Sequence, residues 1–368
     1  MNLISIILFI LIFSLVVVVH EFGHYLLARK NGVKVESFDI GMGPEIFGIQ
    51  GKHTRFTLKL IPFGGACIMK GNDMGLPDTE EAKEEAAIES AAEDSFASKS
   101  VWARIAILFA GPLFNFILAF LIFLIIVSQS GIDKPIILDV IDGYPAQEAG
   151  LEAGDTILKI NGERIHFYRQ ITLNNYLHPG EEVELVYERD GERYTTVIVP
   201  EWSEEDQGYL MGVYGGRYYE AKGLEVITYA FHEVGYTVEV VVKSLGQMFT
   251  SGFSLNNFSG PVGIANTVDT LVDDVQEVTQ NESAYTRFMT MFLTMANFLG
   301  MISANLGVMN LLPIPGLDGG RLLFCIIEAV RGKPIAKEKE AFVTFVGFML
   351  LMLLMVAVLF NDIKKLFV

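Results

Sequence analysis

Four long apolar runs dominate the chain, and between the second and third lies a stretch with a different pattern. The runs cover roughly Leu3 to Ala28, Ile105 to Val127, Phe288 to Leu312 and Ala341 to Phe360. Each is near the ~20 residues that an α-helix needs to cross a bilayer core, so they predict four membrane spans. The first run has no basic segment before it and no small-residue cleavage pattern. Its apolar length also exceeds the ~7 to 15 residues of a secretory signal core, which makes it a retained span.

Residues 36 to 71 alternate glycine with β-favouring residues (FDIGMGPEIFG, then RFTLKLIPFGGACIMKG), a pattern of short strands and hairpins at a membrane surface. Asp78 to Asp94 is acidic and alanine-rich with no apolar face to bury, and carries no assigned function. Between residues 131 and 200 the pattern becomes short apolar strands separated by turns. Asn161-Gly162 and Asp190-Gly191 are hairpin signals, and AQEAG suits a helix ended by glycine. This predicts a small α+β module. Trp202 to Lys222 reads as a loop, and Leu224 to about Phe249 as an amphipathic or surface-lying helix. The predicted division is therefore 1–30 for span one, 31–103 for the hairpin region and acidic loop, 104–128 for span two and 131–200 for the module. A connector at 201–286, span three with its following turn at 287–320, and a loop with span four at 321–368 complete it.

Lysine and arginine set the predicted orientation. Arg29, Lys30, Lys34, Lys52, Arg55, Lys59 and Lys70 follow span one, and Arg321, Arg331, Lys333, Lys337 and Lys339 follow span three. The positive-inside rule places both segments in the cytosol, with the acidic segment between spans two and three, and both termini, outside. Lys364 and Lys365 run against this. The net charge of -17 and the lack of a basic patch exclude nucleic-acid binding. Cys67 and Cys325 are far apart and form no CxxC pair, so neither a disulfide framework nor a thiolate metal site is expected.

Chemistry concentrates at two places. His20-Glu21-Phe22-Gly23-His24 is an HExxH sequence at the inner end of span one. On a helix, histidines four residues apart share a face and can reach one zinc ion, with Glu21 beside it to take a proton from water. A carboxylate inside a bilayer costs roughly 2.5 to 3.5 kcal/mol, which a bound cation offsets. A catalytic zinc takes a third protein ligand and leaves one position open. Asp318 is the candidate, in NLLPIPGLDGG at the end of span three. Spans one and three run in the same direction, so their ends meet at the cytosolic face. Asp318 also suits the cap of a helix starting near Leu322, and capping and ligation are separate roles. A transporter would need several intramembrane acidic or histidine sites along a path, whereas this sequence has one cluster. His53, His166, His178 and His232 have no partner at ligand spacing. Asn115, Asn297 and Asn305 within the spans suit hydrogen bonds between helices.

HEFGH in the first span and NLLPIPGLDGG after the third resemble the site-2 protease family of intramembrane zinc metalloproteases, in its bacterial regulator-of-sigma-E form with a single PDZ module. FDIGMGP, IPFGGACIMKG, AGPLFNFILAF and FSGPVGI match in the same order, and GLEAGDTILKINGERI resembles a PDZ core. The resemblance implies a polytopic α-helical membrane protein with four spans, a membrane-associated β-hairpin and an inserted PDZ-like domain. It implies a zinc metalloendopeptidase of the bacterial cell membrane with Zn2+ on His20, His24 and Asp318, Glu21 as general base and Asn310 near the substrate or the developing oxyanion. Gly64, Gly65, Ala66, Cys67, Ile68, Met69, Pro313 and Pro315 would contact substrate. The implied substrates are single-span membrane proteins such as anti-sigma factors, or signal-peptide remnants. The PDZ-like module would bind a C-terminal peptide or act as a size filter.

Overall fold

A computed structural model of the chain describes residues 1–72, 88–251 and 258–365. Residues 78–87 of the acidic stretch lie outside the described residues. The chain forms two compact units, Met1–Ile122 with Gly252–Val368, and Phe123–Ser251.

In the first unit, α1 (Leu3–Lys30) opens on Asn2, whose side chain accepts the Ser5 N–H and satisfies one of the orphan donors of the first turn. Two antiparallel strands follow, β1 (Val35–Gln50) and β2 (Arg55–Met69), and then α2 (Val101–Ser130). Residues 37–40 of β1 face both 65–68 and 55–58 of β2, while 45–50 face 55–59. Among the described residues the segment from Gly65 to Met69 pairs with β1 alone, and its second edge abuts α1. Ser14 donates to the Pro62 carbonyl (3.0 Å), and a methyl at Gly65 would sit 3.2 Å from Val17 and 3.3 Å from Glu21. Positive φ at Gly41, Gly43 and Gly64 permits the irregular register, because no Cβ opposes it.

Among the described residues, four helices have the length and hydropathy to cross a membrane: α1, α2, the helix Ala284–Leu311 and the helix at the C-terminal end. This agrees with the four apolar runs. The first unit also contains the amphipathic helix Pro261–Val278, whose Ala265, Val268 and Val272 pack on Phe9 and Ile12 of α1. A shorter helix, Asp318–Arg331, precedes Lys337–Lys365. The sequence suggested a helix start near Leu322. The helix begins instead at Asp318, with Leu317 at its N-cap and no side-chain cap. Arg104 of α2 pairs with Glu328 of this helix.

In the second unit the two-residue strands β3 (Ile132–Asp133) and β4 (Asp139–Val140) precede an antiparallel sheet of β5 (Thr156–Ile160), β6 (Glu163–Arg164), β7 (Val183–Arg189) and β8 (Glu192–Ile198), in the order β6-β5-β7-β8. Both hairpins turn where expected. Asn161 and Gly162 have φ of 50° and 81°, and Asp190 and Gly191 have 53° and 83°, the twist-matched two-residue turn. Helices α3 (Pro145–Glu148) and α4 (Arg169–Leu177) close the core with Ile157, Leu185 and Ile198. Where a loop was expected, short strands run from Glu201 to Tyr219, and Val213–Tyr214 pairs with Asp139–Val140 while Tyr218–Tyr219 pairs with Ile132–Asp133. Strands of two or three residues are too short for alternation to show in sequence. The helix α5 (Leu224–Ser251) ends the unit.

With α5 placed, the later helices are α6 (Pro261–Val278), α7 (Ala284–Leu311), α8 (Asp318–Arg331) and α9 (Lys337–Lys365).

Candidate metal centre

The four-residue spacing of His20 and His24 puts both imidazoles on one face of α1, where both residues are buried. Asp318 reaches them from the first residue of α8. Its Oδ2 lies 3.0 Å from His20 Nε2 and 3.1 Å from His24 Nε2, and the two Nε2 atoms are 3.3 Å apart. Among the described residues this is the group of histidine and carboxylate atoms able to hold a metal ion.

The far sides of the rings decide what the near sides offer. His24 Nδ1 lies 2.8 Å from the Ile107 carbonyl, which can only accept, so Nδ1 carries a proton and, in the neutral ring that a metal requires, Nε2 offers its lone pair. His20 Nδ1 faces the Asn115 amide at 3.2 Å, and the Asn115 Oδ1 is buried with no partner. With that amide turned over, Oδ1 accepts from His20 Nδ1–H and the orphan is removed. Both Nε2 lone pairs then converge with a carboxylate oxygen on one point. Three such atoms repel unless a cation lies between them. Two imidazoles and one carboxylate, each ring held by an outer partner, fit a catalytic zinc with its fourth position open.

Helix approach makes this geometry possible. A methyl at Gly111 of α2 would overlap His24 Nε2, and one at Gly23 of α1 would overlap the Ala110 carbonyl. Pro112 withdraws one N–H from the ladder of α2 beside this crossing. Ser303 of α7 donates to the Asn115 carbonyl at 2.8 Å and holds that stretch of α2.

Glu21 points off the histidine face. Its Oε2 accepts the Cys67 backbone N–H at 2.9 Å, which joins the helix to that second edge of β2. Gly64, Gly65, Ala66, Ile68 and Met69 lie on the same strand. Asn310, half-buried in the last turn of α7, makes no side-chain hydrogen bond to the histidines or Asp318 among the described residues. Pro313 and Pro315 lie in the link to α8, where a methyl at Gly320 would overlap the Ile314 carbonyl. Sequence reasoning left Asn115 outside the cluster and did not single out Gly111. The available signal was Gly111-Pro112 and a buried amide inside an otherwise apolar span.

The model of peptidase family M50 matches residues 8–354. The chain belongs to peptidase family M50. Relatives include the zinc metalloprotease RasP of Bacillus licheniformis, 34% identical over 433 residues and covering 99% of each chain. The regulator of sigma-W protease RasP of Bacillus subtilis is 33% identical, also covering 99% of each chain. A solved PDZ domain of an SdrC-like protein from Listeria monocytogenes is 21% identical and covers 24% of this chain and 92% of that one, with a TM-score of 0.20. As an M50 peptidase, the chain is a zinc metalloendopeptidase of the site-2 protease type.

Proposed function

We propose that this M50 peptidase holds zinc with His20, His24 and Asp318 and hydrolyses peptide bonds in the membrane segments of single-span proteins. The observation that carries the reading is the meeting of two imidazole nitrogens and a carboxylate oxygen, drawn from residues 294 apart in sequence, within 3.3 Å of one another. Zinc, when bound, supplies Lewis acidity that makes water nucleophilic near neutral pH and polarises a carbonyl. Asn115 and Ile107 orient the two rings by holding their Nδ1 protons. Glu21 takes the proton of the attacking water and passes it to the leaving amine. Its present bond to the Cys67 N–H keeps the base one hydrogen bond from the strand that would carry substrate. A membrane helix must unwind before it can be cut, and its freed backbone groups need new partners. Gly64 to Met69 offer an extended segment for that pairing, and Pro313, Pro315 and Asn310 close the other side of the site.

The substrate class follows the Bacillus subtilis relative, named a regulator of sigma-W protease, so a membrane-bound anti-sigma factor is the first candidate. Signal-peptide remnants are the second. The zinc site lies toward the cytosol in this reading, with the inserted module and both termini outside. The module acts as a size filter or as a receptor for a new C-terminus. In the second role, peptide would add along Val213, whose carbonyl now accepts from the Tyr168 hydroxyl at 2.8 Å.

Co-expression with a single-span substrate tests the proposal. Glu21→Gln is expected to slow cleavage by about 10² to 10⁴-fold while the protein stays in the membrane. Cleavage at the wild-type rate would remove Glu21 from the mechanism.

A further inference from the structure

We infer that Tyr168 is a gate on the inserted module: it holds closed the strand edge to which a peptide would add, and yields that edge only to a ligand that displaces its side chain. The inference rests on the module acting as a receptor for a new C-terminus, and deepens that reading with the regulation of the same site. It starts from the direction of three backbone carbonyls. The Gly212 carbonyl accepts the Ile141 N–H at 2.8 Å and the Tyr214 carbonyl accepts the Leu138 N–H at 2.7 Å, so both face β4 and its flanks. Alternation along the strand Val213–Tyr214 turns the Val213 carbonyl between them to the opposite edge. An extended peptide laid along that edge would donate its own N–H to this oxygen.

The oxygen is already taken. The Tyr168 hydroxyl donates to it at 2.8 Å, and the ring lies over the residues that follow. A methyl at Gly215 would overlap ring carbons Cε2 and Cδ2, and one at Gly216 would sit 3.2 Å from Cδ1. The two glycines therefore leave room for a flat ring where any side chain would hold it off. Tyr168 and Val213 both pack, partly buried, on the core of the module. The side chain thus takes both the acceptor and the space that an added strand needs. Burial pushes the Tyr168 hydroxyl up to about 12 from its ordinary 10.0, so it stays a protonated donor and the gate answers to ligand rather than to pH.

The backbone beneath the gate is anchored. Tyr168 immediately precedes α4. Its N–H donates to the Asp133 carbonyl at 2.8 Å, and the Arg169 N–H donates to the Asp133 carboxylate at 3.4 Å. Arg169 lies 4.3 Å from the centroid of the Phe167 ring and 4.8 Å from that of Tyr236, and pairs with Glu233. The start of α4 is thereby tied to β3 on one side and to α5 on the other. Opening is a rotation of the Tyr168 side chain and needs no shift of the helix. Only the open fraction of molecules can take a peptide, so the apparent affinity falls by that fraction.

The test follows the fluorescence anisotropy of fluorescein-labelled peptides with free carboxyl termini, varied in their last residues, as the full-length protein in detergent micelles is added. Tyr168→Phe removes the hydroxyl and keeps the ring. It is expected to bind the peptides that the wild type binds, but about 3 to 10-fold more tightly, because the ligand no longer has to break one hydrogen bond. Tyr168→Leu removes the flat ring as well and should bind at least as tightly as Tyr168→Phe, which guards against one variant failing to fold. A residue that only supports the fold would give weaker binding when altered, so a loss in both variants would overturn the gate. Equal binding by all three proteins would overturn the gate and leave the module a receptor. No binding by any of them would overturn the receptor reading, and the gate with it.

Discussion

Asp155 and Asp318 are both acidic residues held among partners, and the difference between them separates a carboxylate answered by protein charge from one that the proposed function gives to zinc. In the module, Asp155 is 1% exposed and fully answered. Arg189 meets it with two bonds of 2.7 Å, and the Glu152 N–H adds a third at 2.9 Å. A planar guanidinium matches a carboxylate geometrically and supplies a permanent positive charge, so nothing further is required. Asp318 is met instead by two imidazoles, at 3.0 and 3.1 Å, which bring no permanent charge. One cluster balances its charge internally. In the proposed reading the other is balanced by zinc.

Substitution should make that contrast sharper. Asp318→Ala should have the largest effect, abolishing detectable cleavage and lowering zinc retained through purification by metal analysis. Unchanged zinc content would take Asp318 out of the ligand set. Asn115→Leu leaves the three inner atoms in place but removes the acceptor behind His20, and should cost about 10 to 100-fold in zinc affinity or turnover. Asp155→Ala should leave zinc content unchanged while destabilising the module by about 3 kcal/mol, followed by proteolysis or thermal unfolding of the full-length protein. If it released zinc, the two carboxylates would not be independent.

The smallest effect concerns pH. Burial, with the charges of His232 and Arg164, pushes His166 down to about 4 from its ordinary 6.5. The folded module therefore binds this proton less readily than the unfolded chain. Its stabilising contribution is complete above about pH 6.5 and is lost as pH falls toward 4. The melting temperature of the module should drop across that window, and His166→Phe should flatten the slope.

Much of this was legible beforehand because the relevant signals are local. HExxH spacing, long apolar runs and Asn-Gly or Asp-Gly turns are read within one stretch of chain, and they predicted α1, the spans and the β5–β6 and β7–β8 hairpins. Asp318 became legible through span direction, a coarse long-range rule. Asn115 did not, because nothing in its own stretch says which helix it faces. The short strands after Glu201 were missed because each depends on a partner at least sixty residues earlier or on a neighbour of equal brevity.

Ile107 and Asn115 stand two turns apart on α2, about 12 Å along its axis, while the rings they hold are one turn apart on α1. Such a two-point grip has a mechanical consequence. A shift of α1 along α2 by even one residue, about 1.5 Å, would pull both rings off their partners together. As the surrounding bilayer thins or thickens, the spans can tilt as a pair, the usual response to mismatch. Sliding would break both bonds whereas tilting as a pair breaks neither, so tilt is the response that leaves the site's shape intact.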